Sequence, residues 1–115
     1  MKLATSLETA AADECVILSQ GSFGEPSRLA KVERTTPSMI VVNKLNFNRR
    51  GRLRGETFSY HRTDICVASD EKHALAIHAK WKRYRSLQVL KNFKWDELTD
   101  DQIQLVCDAL PKKTT

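Results

Sequence analysis

"TDICVASDEKHALAIHAKW" (residues 63–81) changes its rhythm halfway through. Up to Ala68, Ile65 and Val67 share one face, the two-residue repeat of a strand. Beyond Ser69, Ile77, Trp81 and Tyr84 recur at helical spacing, with Ala74 and Leu87 at the edges of that stripe. Lys72, Lys82 and Arg83 fall on the opposite face. Ser69, followed by Asp70 and Glu71, has the character of a helix N-cap with acids in the first turn. The spacing therefore predicts strand before Ser69 and a helix from there to about Leu90.

Working toward the N-terminus, "ECVILS" (14–19) is a short apolar run closed by the Gly- and Pro-containing loop "QGSFGEPS" (20–27). "RLAKVERT" (28–35) alternates, "TTPS" (35–38) turns the chain, and "MIVVN" (39–43) is β-branched and apolar. "LNFNR" (45–49) sets Leu45 and Phe47 against Asn46 and Asn48, and "RGRLRG" (50–55) reads as a glycine turn. "TFSYHRTDICVA" (57–68) supplies one or two more strands. Residues 1–13 are small and polar and predict a loose arm or a short helix over Leu3–Ala12.

Toward the C-terminus, Thr99 opens a T-D-D-Q capping box and Pro111 stops the helix that follows, with Ile103, Val106, Cys107 and Leu110 as its core face. Strands first and helices after predict an α+β fold: a small antiparallel β-barrel of about five strands followed by two C-terminal helices. The expected division is an arm (1–13), a barrel (14–68), a two-helix appendage packed on it (69–111) and a tail (112–115). Val32, Ile40, Val42, Ile65, Trp81 and Ile103 are the expected buried residues.

A chain of 115 residues, 41% hydrophobic and 29% charged, suits one globular domain. The net charge of +5 favours acidic partners: nucleic acid, an anionic surface or an acidic protein. Three scattered cysteines, Cys15, Cys66 and Cys107, read as reduced thiols rather than a disulfide framework. The first residues make a poor signal peptide, and no run reaches the length of a membrane span. The expectation is a soluble, cytoplasmic protein without membrane contact.

The charge is segregated. Nine Lys or Arg and two acids lie between Arg28 and Arg62, a local +7 that leaves −2 for the remainder. "KLNFNRRGRLRGETFSYHR" (44–62) interleaves this charge with Phe47, Phe58 and Tyr60. Cations neutralise phosphates, exposed aromatics stack on bases, and glycines such as Gly51 and Gly55 let a backbone approach a phosphate. The candidate binding residues are Lys44, Arg49, Arg50, Arg52, Arg54, Tyr60 and Arg62. The competing reading is a solubilising hairpin with its phenylalanines in the core. "KWKRYR" (80–85) offers a secondary surface, Lys80, Lys82, Arg83 and Arg85, against the alternative of a solvated helix face.

Catalytic patterns are weak. His73 and His78 are five apart rather than four, so a helix does not place them on one face. A zinc site from the three cysteines and one histidine, or Cys66 activated by His61, lacks supporting spacing. No P-loop or G-x-G-x-x-G occurs. The expectation is no enzyme, no metal and no cofactor.

The segment "KVERTTPSMIVVNKLNFNRRGRLRG" (31–55) resembles a pattern common in small bacteriophage accessory proteins, in which V-x-x-x-T-x-x-x-I-V-V strands precede an aromatic-basic strand and a glycine turn. Val32, Thr35 or Thr36, Ile40, Val41, Val42, Phe47, Arg49, Arg50, Gly51 and Gly55 carry the match, within about residues 14–67. The resemblance implies a small SH3-like barrel, similar to the KOW and Tudor barrels, acting in the cytoplasm of a bacterial host. Two functions are expected: nucleic-acid binding through the Arg-rich hairpin, DNA in preference to RNA, or inhibition of an acidic host protein such as a defence nuclease or the transcription machinery.

Overall fold

The computed structural model describes residues 1–20, 25–54 and 63–111. Five strands, β1 (Cys15–Ser19), β2 (Arg28–Thr35), β3 (Met39–Val42), β4 (Leu45–Asn48) and β5 (Asp64–Cys66), precede helix α1 (Glu71–Asn92), a short 3-10 turn (Trp95–Glu97) and helix α2 (Asp100–Ala109). The strands form one antiparallel sheet in the order β4-β3-β2-β1-β5. The sheet curls until its edges nearly meet. After β4 the chain doubles back, so that Leu53 bridges Phe47 while Arg52 bridges Asp64, and Ile65 N donates to Gly51 O at 2.8 Å. The architecture is α+β, a small, nearly closed five-stranded barrel followed by two helices.

Strand alternation builds the core. Val16, Leu18, Val32, Ile40, Val42, Phe47 and Ile65 point inward and are buried, with Leu45, Leu53 and Val67 packed around them. The cross-strand pairs Val32↔Val42 and Ile40↔Phe47 put large side chains opposite one another. A bulge between Val32 and Arg34 shifts the register of β2, and the extra residue, Glu33, uses Oε1 to accept from Lys44 N at 3.0 Å. Asn43 and Lys44 both have positive φ, 52° and 63°, as a two-residue primed hairpin turn requires.

β1 is covered on both faces, which accounts for its unbroken apolar run. Its outward Ile17 packs with Ala68 and Ala74, joined by Leu3, Leu29 and Ile77. This is where the first turns of α1 sit. The cap of α1 is one residue later than the spacing predicts. Asp70 Oδ1 accepts from His73 N at 2.7 Å, while Ser69 bonds the His73 ring. The capping box of α2 forms as expected: Gln102 N donates to Thr99 Oγ1 and Thr99 N to Gln102 Oε1.

Three expectations need correction. Residues 1–13 are not a loose arm and contain no helix. Leu3 bridges Cys15 in parallel, Cys15 N donates to Lys2 O at 2.7 Å, Asp13 N to Val32 O at 2.9 Å, and Ala4 and Ala10 are buried in the barrel core. Alanines fill space beside a strand without leaving a periodic signal. Trp81 is only half-buried: it stacks on Tyr84 at 5.5 Å and lies under the Arg28 guanidinium, also at 5.5 Å. Ile103 is exposed, as are Cys107 and Leu110, so α2 has no packed core face among the described residues.

The chain divides into two compact units, Met1–Arg85 and Ser86–Thr115. The boundary between these units falls inside α1, with the Glu71–Arg85 stretch in the first unit. The strand expected over 57–62 and the tail 112–115 lie outside the described residues.

Candidate nucleic-acid interface

The turn after β4 is held by one side chain. Asn48 Oδ1 accepts from Arg50 N (2.9 Å) and Arg52 N (3.1 Å), and Gly51 N donates to Asn48 O at 3.0 Å. Asn48 N then donates to Arg52 O, and Arg54 N to Asn46 O, zipping residues 52–54 back along β4. Alternation sends Leu53 into the core and leaves Arg52 and Arg54 outward on one side, about 7 Å apart by strand geometry. Arg50 is exposed at the turn itself.

These three guanidiniums have no carboxylate partner among the described residues, where the one ion pair is Lys94–Glu97 at 3.9 Å. Arg54 Nη1 lies 3.1 Å from Met39 Sδ. Asp64, the acid nearest in sequence among the described residues, stands opposite Arg52 in an isolated bridge without an ion pair between them, and Glu33 is engaged at Lys44 N. The pairing also reveals a cation that the spacing did not single out. Arg34 pairs with Val41, Val41 with Asn46, and Asn46 bonds Arg54, so Arg34 lies on the same cross-strand row as Arg54. Its i, i+2 alternation with Val32 was obscured by the bulge at Glu33.

Other candidates are not brought together with this cluster. Arg49 turns inward and is half-buried: Nη1 donates to Leu7 O (3.0 Å) and Ala10 O (3.1 Å), and Nη2 to Thr36 O (2.6 Å). It ties the N-terminal segment to the barrel and is not available as a phosphate contact. Arg49→Ala is expected to cost about 2 kcal/mol in urea unfolding. A loss below about 0.5 kcal/mol would show that these bonds do not hold the segment. Lys44 sits at the opposite end of β4, about 13 Å of strand away from the Asn48 turn and Arg50, though only two residues from the Asn46 that Arg54 N bonds. Gly51 is buried with φ 88°, and its open side faces Ile65 O and Leu7 Cδ1, so its small size serves closure of the barrel rather than approach of a phosphate. Phe47 is buried and cannot stack on a base. Phe58, Tyr60, Arg62 and Gly55 lie outside the described residues.

On α1, Lys80, Lys82, Arg83 and Arg85 are all exposed, but at 100° per residue they surround the helix instead of forming one patch. Among the described residues, no group of three or more His, Cys, Asp or Glu is placed to hold a metal ion. Cys15 is buried, and partial burial together with Asp64 pushes the Cys66 thiol pKa up, away from nucleophilic character. No described helix is long and apolar enough to cross a membrane. No family model, no curated protein and no solved structure matches this chain.

Proposed function

We propose that this chain is a non-enzymatic binding protein whose ligand is a nucleic-acid backbone, held at the barrel edge by Arg50, Arg52 and Arg54, with Arg34 farther along the same cross-strand row. One observation carries the reading. Three exposed guanidiniums, none in an ion pair among the described residues although Asp64 stands opposite Arg52, lie on a segment pinned by backbone bonds to both β4 and β5. A rigid mounting reduces the ordering cost of binding. The two-residue step between Arg52 and Arg54 is comparable to the spacing of neighbouring phosphates on one strand. Contacts of this type neutralise charge without reading bases, so the expected binding is independent of sequence. Duplex DNA is the favoured ligand, and the resemblance to small bacteriophage accessory proteins implies a bacterial host cell as its setting.

Fluorescence anisotropy with a labelled DNA duplex tests this. Arg50→Ala/Arg52→Ala/Arg54→Ala is expected to fold as wild type, since exposed substitutions cost under about 0.5 kcal/mol each. Its affinity should fall by well over tenfold if each contact contributes about 1 kcal/mol or more. A control with Lys72, Lys82 and Arg83 changed to Ala should bind within a few-fold of wild type. The opposite pattern would move the interface to α1. Weak DNA binding by the wild type, with retained capture of an acidic host protein, would favour the inhibitor reading instead.

A further inference from the structure

We infer that a second copy of this chain covers the apolar helix faces at the C-terminal end, α2 of each copy docking on α1 of the other about a two-fold axis. This goes beyond the nucleic-acid reading and does not rest on it. From Leu75 to Pro111 no described residue is buried. Helix α2 presents Ile103, Val106 and Leu110 at i, i+3 and i+7, a helix-packing seam, yet Ile103 is 41% and Leu110 60% exposed. Helix α1 presents Leu87 and Leu90 at the matching i, i+3 spacing, and these are 49% and 50% exposed. Both ends are well built: the α2 capping box is complete, and Trp95 Nε1 donates to Leu90 O at 3.0 Å at the end of α1. Two well-terminated helices with open seams are prepared for a partner.

Charge identifies the partner. Helix α1 carries six Lys or Arg and one acid, whereas residues 95–111 carry five acids and no Lys or Arg. The charges flank the seams. Lys80, Arg83 and Lys91 lie on the Leu87/Leu90 face of α1 at helical spacing, and Asp100 lies beside Ile103 one turn earlier on α2. Each copy therefore offers one basic seam and one acidic seam. A two-fold axis satisfies both at once, because the contact from the first copy to the second is repeated in reverse. Complementary flanking charges also favour this pairing over mismatched alternatives.

Sedimentation equilibrium of the full-length chain, nuclease-treated so that nucleic acid cannot bridge copies, tests the inference. Wild type is expected to show a concentration-dependent monomer–dimer equilibrium. Ile103→Ser/Leu110→Ser should be monomeric throughout, with circular dichroism confirming that the helices remain. Asp100→Arg and Arg83→Asp should each weaken dimerisation about tenfold, since the axis repeats every pair. Asp100→Arg/Arg83→Asp in one chain should restore it. A wild type that stays monomeric at all concentrations overturns the inference, including the case in which amide exchange shows the α2 face protected by its own chain. A dimer indifferent to the seam and charge variants overturns it as well. Neither result bears on DNA binding by the barrel edge, so the two proposals fail separately.

Discussion

Alanine at position 51 is expected to remove a large part of the barrel's stability. Gly51 combines two demands that no other residue meets. Its φ of 88° lies in the left-handed region, where a Cβ is strained. The added Cβ would also overlap the Ile65 carbonyl oxygen and crowd Leu7 Cδ1. The carbonyl is backbone and cannot rotate away. Moving it would break the bond from Ile65 N to Gly51 O, which joins the turn after β4 to β5 and nearly closes the sheet. Backbone strain and overpacking together are expected to cost about 3–5 kcal/mol. A unit of this size has a total stability on the order of 4–13 kcal/mol, so the loss consumes a large part of it. Thermal and urea unfolding followed by circular dichroism measure the effect. A Gly51→Ala protein melting within a few degrees of wild type would show that closure at this point does not hold the barrel.

Val42→Asp is expected to be comparably damaging for a different reason. Val42 is fully buried, registered between Val32 on β2 and Leu45 on β4, and no polar or charged residue is buried among the described residues. An aspartate there finds no cation and must either lose its hydration as an ion or take up a proton, at a cost of several kcal/mol. The pH dependence distinguishes this from simple loss of packing. Burial raises the folded-state pKa above the unfolded value of about 3.9, so the penalty is present above that value and shrinks as pH falls toward it. Relative to wild type, the variant should therefore gain stability on acidification from neutral pH. A variant with wild-type melting at neutral pH would remove Val42 from the core.

The fold was legible where period and caps agree. The change from two-residue to helical spacing at Ser69 located the end of the sheet and the start of α1 within two residues, and T-D-D-Q located α2. Val32 stands between polar neighbours, Ile40 and Val42 lie in the apolar run of β3, and these three and Ile65 are buried as expected. The N-terminal segment was misread because Ala4 and Ala10 dock through small size and backbone bonds, neither of which leaves a pattern. Helical periodicity marked an apolar face on α2 correctly, but it cannot say whether the covering surface lies in the same chain. Ile103 and Leu110 are open for that reason.

The candidate site was legible as composition and not as geometry. Arg49, Arg50, Arg52 and Arg54 look equivalent in a row of arginines. Their fates differ because the turn at Asn48 directs Arg49 toward the carbonyls of Leu7, Ala10 and Thr36, and leaves its neighbours outside. Lys44 is near them in sequence, but the length of β4 parts it from Arg50 while the returning segment brings Arg54 back alongside Asn46. Arg34, remote in sequence, joins the row through strand pairing.

The salt dependence of duplex DNA binding tests the central claim most directly. Affinity of the wild type and of Arg50→Ala/Arg52→Ala/Arg54→Ala would be measured across a series of ionic strengths and plotted as log K against log salt concentration. Each phosphate contact contributes about −0.9 to the slope, so three arginines at the barrel edge predict a wild-type slope of about −3 or steeper, made shallower by about 3 in the triple variant. A wild-type slope near zero, or a triple variant with an unchanged slope, would contradict the assignment of the barrel edge as a phosphate-binding surface.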